Sequence, residues 1–339
     1  MGKNIKNNLL NNNSFATLIW PLLGLMLILL FNLIFTRNFF HITMMEGHLF
    51  GSLIDIMNRA APVMLLAIGM TLVIATGGID ISVGSVIAIS GAIAATFIAL
   101  KAPMIIVVMA PLLVAALLGA WNGFLVSTIG VQPIVASLIL MVAGRGIAQL
   151  ITDGQILVFE NKPFEFIGNG FLFKLPFTIT IVIVVFAITQ FLTRKTALGL
   201  FIESSGCNPA ASRYAGISVR SIKQIVYIFS GLCAGIAGLI VAANIKGADA
   251  NNAGDGLEMD AILAVVIGGT AMECGKFSLT GSIIGAIIMQ TLTTTILTRG
   301  VPVQATRVVK ALVVVAVILL QSEALRNRLK AKFSRRVAA

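Results

Sequence analysis

The sequence predicts an all-α, polytopic integral membrane protein of about ten transmembrane helices, several of them short or broken. Three observations carry this. Of 339 residues, 58% are hydrophobic and 11% charged, a balance that no soluble domain of this length shows. Apolar runs near membrane length recur from end to end. Two of them meet at a glycine-rich break, Gly77-Gly78-Ile79-Asp80-Ile81-Ser82-Val83-Gly84, which carries one carboxylate. Glycines let the backbone turn there. An acid at membrane depth faces a partner or a wet cavity, and glycine-interrupted short spans point to a transport site.

Taken in order, Lys3 and Lys6 precede a first apolar run, Phe15 to Phe35. The flank resembles a signal peptide, but the run is roughly twenty residues long and no small-x-small cleavage site follows. It reads as an uncleaved span. Further spans are expected near 61–76, 84–100, 103–128, 133–152, 176–193, 223–243, 258–272, 279–298 and 308–322. The runs 61–76 and 84–100 are each short for a lone membrane helix, which needs roughly 20 residues.

Charge supplies a parity check. The net charge of +11 does not imply nucleic acid, because the bases sit in tails and loops beside spans, where Lys and Arg orient a membrane protein. The N-terminus, the segment 194–223 (Arg194, Lys195, Arg213, Arg220, Lys223) and the C-terminal tail are all basic, so all three should be cytoplasmic. Even numbers of spans then separate them. That requires 61–100 to cross twice, as a hairpin of two short helices. Both glycine breaks, 77–84 and 268–276, then fall on the cytoplasmic side, where they read as turns beneath a pathway. Loops 153–175 and 244–257 fall outside, as do His41 and His48, expected to be solvated. Arg299 and Arg307 also fall outside, against the charge rule. The resulting organisation is a cytoplasmic tail at 1–14, one transmembrane domain at 15–322 with a cytoplasmic segment at 194–222, and a basic cytoplasmic tail at 323–339.

Several function classes drop out. A phosphate loop needs Gly-x-x-x-x-Gly-Lys-Ser/Thr, but Gly269 to Gly275 encloses five residues and Phe277 follows Lys276. Neither a Gly-x-Ser-x-Gly elbow nor a His-Glu-x-x-His helix is present. Cys207, Cys233 and Cys274 are too scattered for a disulfide framework or metal site. No catalytic residue, metal or cofactor is expected.

Polar residues that interrupt apolar sequence carry more. Asn58, Asp80, Ser82, Trp121, Asn122, Gln132, Ser137, Arg145, Gln149, Asp260 and Gln290 form such a set. Buried polar groups need partners, so interhelical hydrogen bonding and a pathway lining both account for them. The set is rich in amides and hydroxyls and poor in charge, which suits a neutral polyhydroxylated solute. Trp121, Asn122, Gln132 and Asn252 are the candidate pathway lining, an aromatic face with amides. Asn58, Asp80, Ser82, Arg145 and Asp260 are the candidate polar network. Gly231-x-x-x-Gly235 and Gly281-x-x-x-Gly285 have the spacing that lets helices approach closely, inside one chain or at a subunit seam. In the inward segment, Asn208 can cap a short helix starting at Pro209 and ended by Gly216. Glu203, Gly206, Asn208, Ala210, Ala211, Arg213 and Gly216 then form either a docking surface or a solvated loop.

Long motifs carry a resemblance. They are Asn58 to Gly91, Trp121-Asn122-Gly123, Gln132-Pro133-x-x-Ala136, Gly206-x-Asn208-x-Ala210-Ala211-x-x-x-x-Gly216-Ile217 and Leu257-Glu258-x-Asp260-Ala261-Ile262. Over nearly the whole chain after residue 15 they resemble the ribose-type sugar permeases (carbohydrate uptake family 2) of bacterial ABC importers. Phe50 to Pro62, Met141 to Gly146, Leu192 to Gly199 and Gly247 to Gly254 resemble the galactofuranose-importing branch in particular. At 268–275 the family shows a Gly/Ser-rich turn, where this chain has Met272, Glu273 and Cys274.

The resemblance implies a permease subunit that passes a monosaccharide, galactofuranose or otherwise a ribose-like sugar, across the inner membrane by alternating access. It implies cytoplasmic ATPase subunits, a periplasmic sugar-binding protein and a second, homologous permease chain as partners, with the inward segment as the ATPase-coupling element. A competing reading is an ion-coupled secondary sugar carrier that uses Asp80 and Asp260.

Overall fold

The computed structural model describes residues 3–36, 39–45, 48–270 and 275–321. In chain order its elements are α1 (Lys3–Phe35), β1 (Thr43–Met45), β2 (His48–Phe50), α2 (Ser52–Ala75), α3 (Val83–Ala99), α4 (Met104–Phe124) and α5 (Pro133–Ile151). There follow β3 (Leu157–Val158), α6 (Lys162–Asn169), β4 (Phe171–Leu172), β5 (Leu175–Pro176), α7 (Phe177–Lys195), α8 (Ala197–Cys207) and α9 (Pro209–Tyr214). The chain continues with α10 (Val219–Ile245), β6 (Gly247–Ala248), α11 (Leu257–Ile267), α12 (Leu279–Thr298) and α13 (Val303–Gln321). Residues 322–339 and the replaced family turn, Met272 to Cys274, lie outside the described residues.

Each expected span has its helix. Among the described residues seven helices are long and apolar enough to cross a membrane: α1, α2, α4, α5, α7, α10 and α12. The 17-residue α3 and the 11-residue α11 are shorter. Broad apolar faces of α1, α4, α5 and α7 are exposed, with Leu27, Ile105, Val142 and Phe191 among them. In a bilayer such faces meet lipid.

The centre differs from the sequence expectation in two ways. First, α2 is not short. It starts at Ser52 and runs 24 residues, straight through Pro62. Pro62 removes only the intrahelical donor to the Asn58 carbonyl. The polar turn before it is held by Arg59 Nε, which donates to both Asp55 carboxylate oxygens at 2.8 and 2.9 Å. From Ala60 to Ala75 every α2 residue is buried, as an all-round apolar helix demands. Second, α2 and α3 form no packed hairpin. The long α10 packs against α2, α3, α4 and α6 and is the hub of the bundle.

Small residues explain how α10 fits. A Cβ placed on Gly231 would lie 2.4 Å from the Ala115 carbonyl oxygen of α4, and one on Gly235 2.7 Å from Ala115 Cβ. Gly281 and Gly285 of α12 stand equally close to the Gly268 and Ala264 carbonyls beside α11. Both stripes are therefore packing seams within the chain.

Two breaks in the helices set up the interior. At one end of the bundle α8 covers the last turn of α2, so Thr76 starts from that end. The chain then climbs back inward, because Asp80 reaches Ser230, eleven residues into α10. At about 1.5 Å per residue Ser230 lies about 16 Å along α10 from its first residue, and Gly69, well before the end of α2, packs beside it. The first break is thus re-entrant, not a turn confined to the surface. From the opposite side the 249–256 loop also descends. Gly254 packs on Gly84, and Glu258, in the first turn of α11, packs there as well. The N-termini of α3 and α11 meet inside the bundle. The second break stays at the α8 end, where Gly275 touches Glu203.

The end opposite α8–α9 is tied by short sheets. β1 pairs with β2, β4 with β5, and β3 with β6, all antiparallel. His48 is not solvated: its ring stacks on Phe171 at 4.3 Å. Loop 153–175 contains α6, which Asn161 caps by accepting from Phe164 N at 3.1 Å. The two arginines that broke the charge rule have partners there. Arg299 lies over the rings of Phe31 and Phe35, and Arg307 bonds Asp255 at 2.7 Å.

Lys246, which ends α10, bonds Glu165 of α6 at 2.8 Å. This hydrogen bond, with the charge behind it, holds the Glu165 carboxyl below the usual carboxylate range. A depressed acid contributes stability at neutral pH and loses it as pH falls through its lowered value. Protection of the 162–169 amides, taken relative to their intrinsic exchange at each pH, should therefore fall in acid. Lys246→Met should show the reduced protection at neutral pH already. Equal exchange in both proteins would remove the ion pair as the tie.

Candidate functional site

Asp80 is the best-defined polar centre. It is 1% exposed and is held between α4 and α10. Its Oδ1 accepts from Ser82 N at 3.1 Å, Ser82 Oγ at 2.6 Å and Asn122 Nδ2 at 3.3 Å. Its Oδ2 accepts from Ser230 Oγ at 3.1 Å. Asn122 also donates to Ser82 Oγ at 2.8 Å, and Tyr227 Oη donates to the Ile79 carbonyl at 3.4 Å. The carboxylate thus pins the re-entrant break to α4 and α10. The buried carboxyl group is tolerated there because donors surround it. Ser230 and Tyr227 were not singled out in the sequence, although Ser230 directly precedes the Gly231 stripe.

The other candidate network residues lie elsewhere. Asn58 accepts from Thr178 and joins α2 to α7. Arg145 of α5 donates to the Ala253 and Asn251 carbonyls and braces the descending loop. Asp260 of α11 pairs with Lys310 of α13 at 2.6 Å. Only Asp80 and Ser82 share a network, and Asn122 joins them.

The four pathway candidates are not gathered either. Asn122 is fully buried, whereas its neighbour Trp121 is 54% exposed on another face of α4. Gln132 begins α5. Asn252 is exposed and bonds Asp249, next to Asn251, which Gln149 and Arg145 reach from the far end of α5. The thirteen residues from 132 to 145 span about 20 Å of helix, so Gln132 and Asn252 cannot touch one small solute together.

The inward segment has the geometry expected of it. Asn208 Oδ1 accepts from Ala211 N at 3.0 Å, α9 starts at Pro209, and Gly216 takes a left-handed φ of 83°. Ala210, Ala211 and Arg213 are exposed, and Tyr214 is 95% so. Glu203 and Gly206 belong to α8 and face the bundle. A Cβ on Gly206 would lie 1.8 Å from the Ala75 carbonyl oxygen and 3.1 Å from Gly275 Cα. One backbone contact thus joins α8, the end of α2 and the second break.

Residues 52–318 match the family described as branched-chain amino acid transport system, permease component. The chain belongs to this permease family. It is the membrane permease component of an ABC importer and works with ATPase and solute-binding partners. Over 321 residues it is 50% identical to the galactofuranose transporter permease protein YtfT of Escherichia coli K12, covering 93% of this chain and 94% of the relative. It is 39% identical to the fructose import permease protein FruF of Bifidobacterium longum, over 96% and 92% of the two chains. It is 37% identical to the ribose import permease protein RbsC of Escherichia coli K12, over 80% and 86%. No solved structure matches. Permeases of this family span the membrane, and the buried α2–α10 pair is the axis on which this one is built.

Proposed function

We propose that this permease carries a monosaccharide, galactofuranose first and a ribose-like sugar otherwise, across the bacterial inner membrane by alternating access. The 50% identity to a galactofuranose permease along nearly both full lengths carries this reading. The family description names branched-chain amino acids, but the relatives that match along most of the chain are named for sugars. ATP hydrolysis belongs to the partner subunits. They dock on α9 and the exposed side of α8, and a periplasmic sugar-binding protein delivers from the other side. The second permease chain is a homologue of this one or a second copy of it. Both termini face the cytoplasm.

An ion-coupled carrier draws less support, because Asp80 is taken up by serine and asparagine donors and Asp260 by Lys310. The test is uptake of labelled sugars into proteoliposomes holding this chain with its co-expressed ATPase, second permease and binding protein. Galactofuranose should enter only with ATP, and a protonophore should not matter. Uptake that follows a proton gradient with ATP absent would overturn the proposal. In cells, single cysteines in 153–175 should label from outside and those in 205–215 only from inside. The reverse pattern would invert the orientation.

A further inference from the structure

We propose that one permease chain contains its own monosaccharide chamber, the open cleft between the outer ends of α2, α10 and α12 over the start of α11. The proposal rests on the sugar reading above and names the place where that sugar is held. The cavity measures about 610 Å³, within the range of small-molecule sites. It opens at the end of the bundle opposite α8–α9, the side from which an importer is loaded. None of Trp121, Asn122, Gln132 or Asn252 lines it.

Its chemistry suits a neutral polyol. Gln290, Thr294 and Thr298 of α12 line it at four-residue spacing, so they form one polar stripe on one helix face. Thr293 and Thr298 spend their protons on carbonyls of their own helix, at 2.9 Å each. Thr294 donates to no protein group among the described residues. It only accepts a long bond, 3.4 Å, from Gln290 Nε2. That bond is easily exchanged for one to a sugar hydroxyl.

Asn244 of α10 also lines it, with its amide oxygen turned toward Gly168 of α6. At the α2 wall Asp55 and Arg59 neutralise each other through Arg59 Nε, which leaves the outer guanidinium nitrogens to donate. The wall therefore offers hydrogen bonds without net charge. Pro62, Val241 and Leu297 supply apolar surface for the C–H faces of a sugar ring. Leu257 completes the lining as the first residue of the half-length α11, whose next residue packs on Gly84. A shift of α11 would open the chamber toward the re-entrant break, the step that alternating access requires.

The test uses the assembled importer in proteoliposomes. Thr294→Trp fills the chamber. It should lower sugar uptake roughly tenfold or more, while the sugar-loaded binding protein still stimulates ATP hydrolysis and the complex still assembles. Gln290→Leu should change the ranking among galactofuranose, ribose and fructose. An assembled Thr294→Trp importer with undiminished uptake would overturn the chamber while leaving the sugar function intact. If that variant does not assemble, Thr294→Cys is labelled with a hydrophilic maleimide. Sugar turnover should slow the labelling, and unchanged labelling overturns the chamber. A wild-type importer that takes up leucine and no sugar would overturn both the sugar reading and the chamber.

Discussion

Asp80→Leu should remove most of the folded permease from the membrane, and its transport activity with it. Leucine has the same branched outline but is bulkier and accepts nothing. Four donors, Ser82 N–H, Ser82 O–H, the Asn122 amide and the Ser230 hydroxyl, lose an acceptor in a place that water does not reach. Each buried donor left unpaired costs roughly 1–3 kcal/mol, against a total stability of about 5–15 kcal/mol for an ordinary domain. The re-entrant break would also lose its only carboxylate tie to α4 and α10. Detergent size-exclusion of a fluorescent fusion measures the folded fraction directly. Asp80→Asn keeps one acceptor oxygen and should recover part of the loss. A normal folded peak for Asp80→Leu with transport gone would instead make Asp80 a direct participant in transport.

The second large effect is expected where α8 meets α2. Gly206→Val puts a branched side chain where the Ala75 carbonyl oxygen lies 1.8 Å from any Cβ. Backbone stands on both sides, against Ala75 and against Gly275, so neither neighbour can swing away as a flexible side chain would. Overpacking of this kind costs roughly 1–3 kcal/mol, and here α8 can escape it by lifting off. Uptake should be lost while the bundle, built on α2 and α10, stays folded. Ala211→Trp should separate docking from seating, since Ala211 is exposed on α9. We expect it to abolish sugar-stimulated ATP hydrolysis in a normally inserted complex. Glu203→Gln should be mild, because Glu203 makes no ion pair among the described residues and glutamine keeps its size. Coupled hydrolysis that survives Ala211→Trp would pass the docking role to the turn at 268–276.

Local chemistry was legible where it depends on neighbours in sequence. The cap at Asn208, the start at Pro209 and the glycine after α9 are read from consecutive residues and stand in the structure as expected. The start of α2 was not, because Asp55, Asn58 and Arg59 look like loop residues until the Asp55–Arg59 pair and the α12 wall are seen around them. The cap of α6 has the same local pattern as Asn208, with Asn161 ahead of Lys162-Pro163 and Glu165 reaching back to Asn161 N at 3.2 Å.

The sequence by itself determined that this chain is a helical membrane protein, where its apolar helices lie, and that Asp80 needs partners. Apolar length, glycine breaks and a buried acid are one-dimensional signals, each forced by the cost of exposing apolar surface to water or a bare charge to lipid. Only the tertiary structure decided who the partners are. Ser230 lies 150 residues from Asp80 and Lys310 50 residues from Asp260. Such pairings follow from which helices pack side by side, and that is set by small residues on α10 and α12 that let backbones approach within van der Waals reach. The same packing dispersed the candidate pathway residues over about 20 Å and gathered Asp55, Asn244 and Gln290, from three helices, around one cavity. No spacing along the chain encodes that, because it arises only when α2, α10 and α12 close around the space between them.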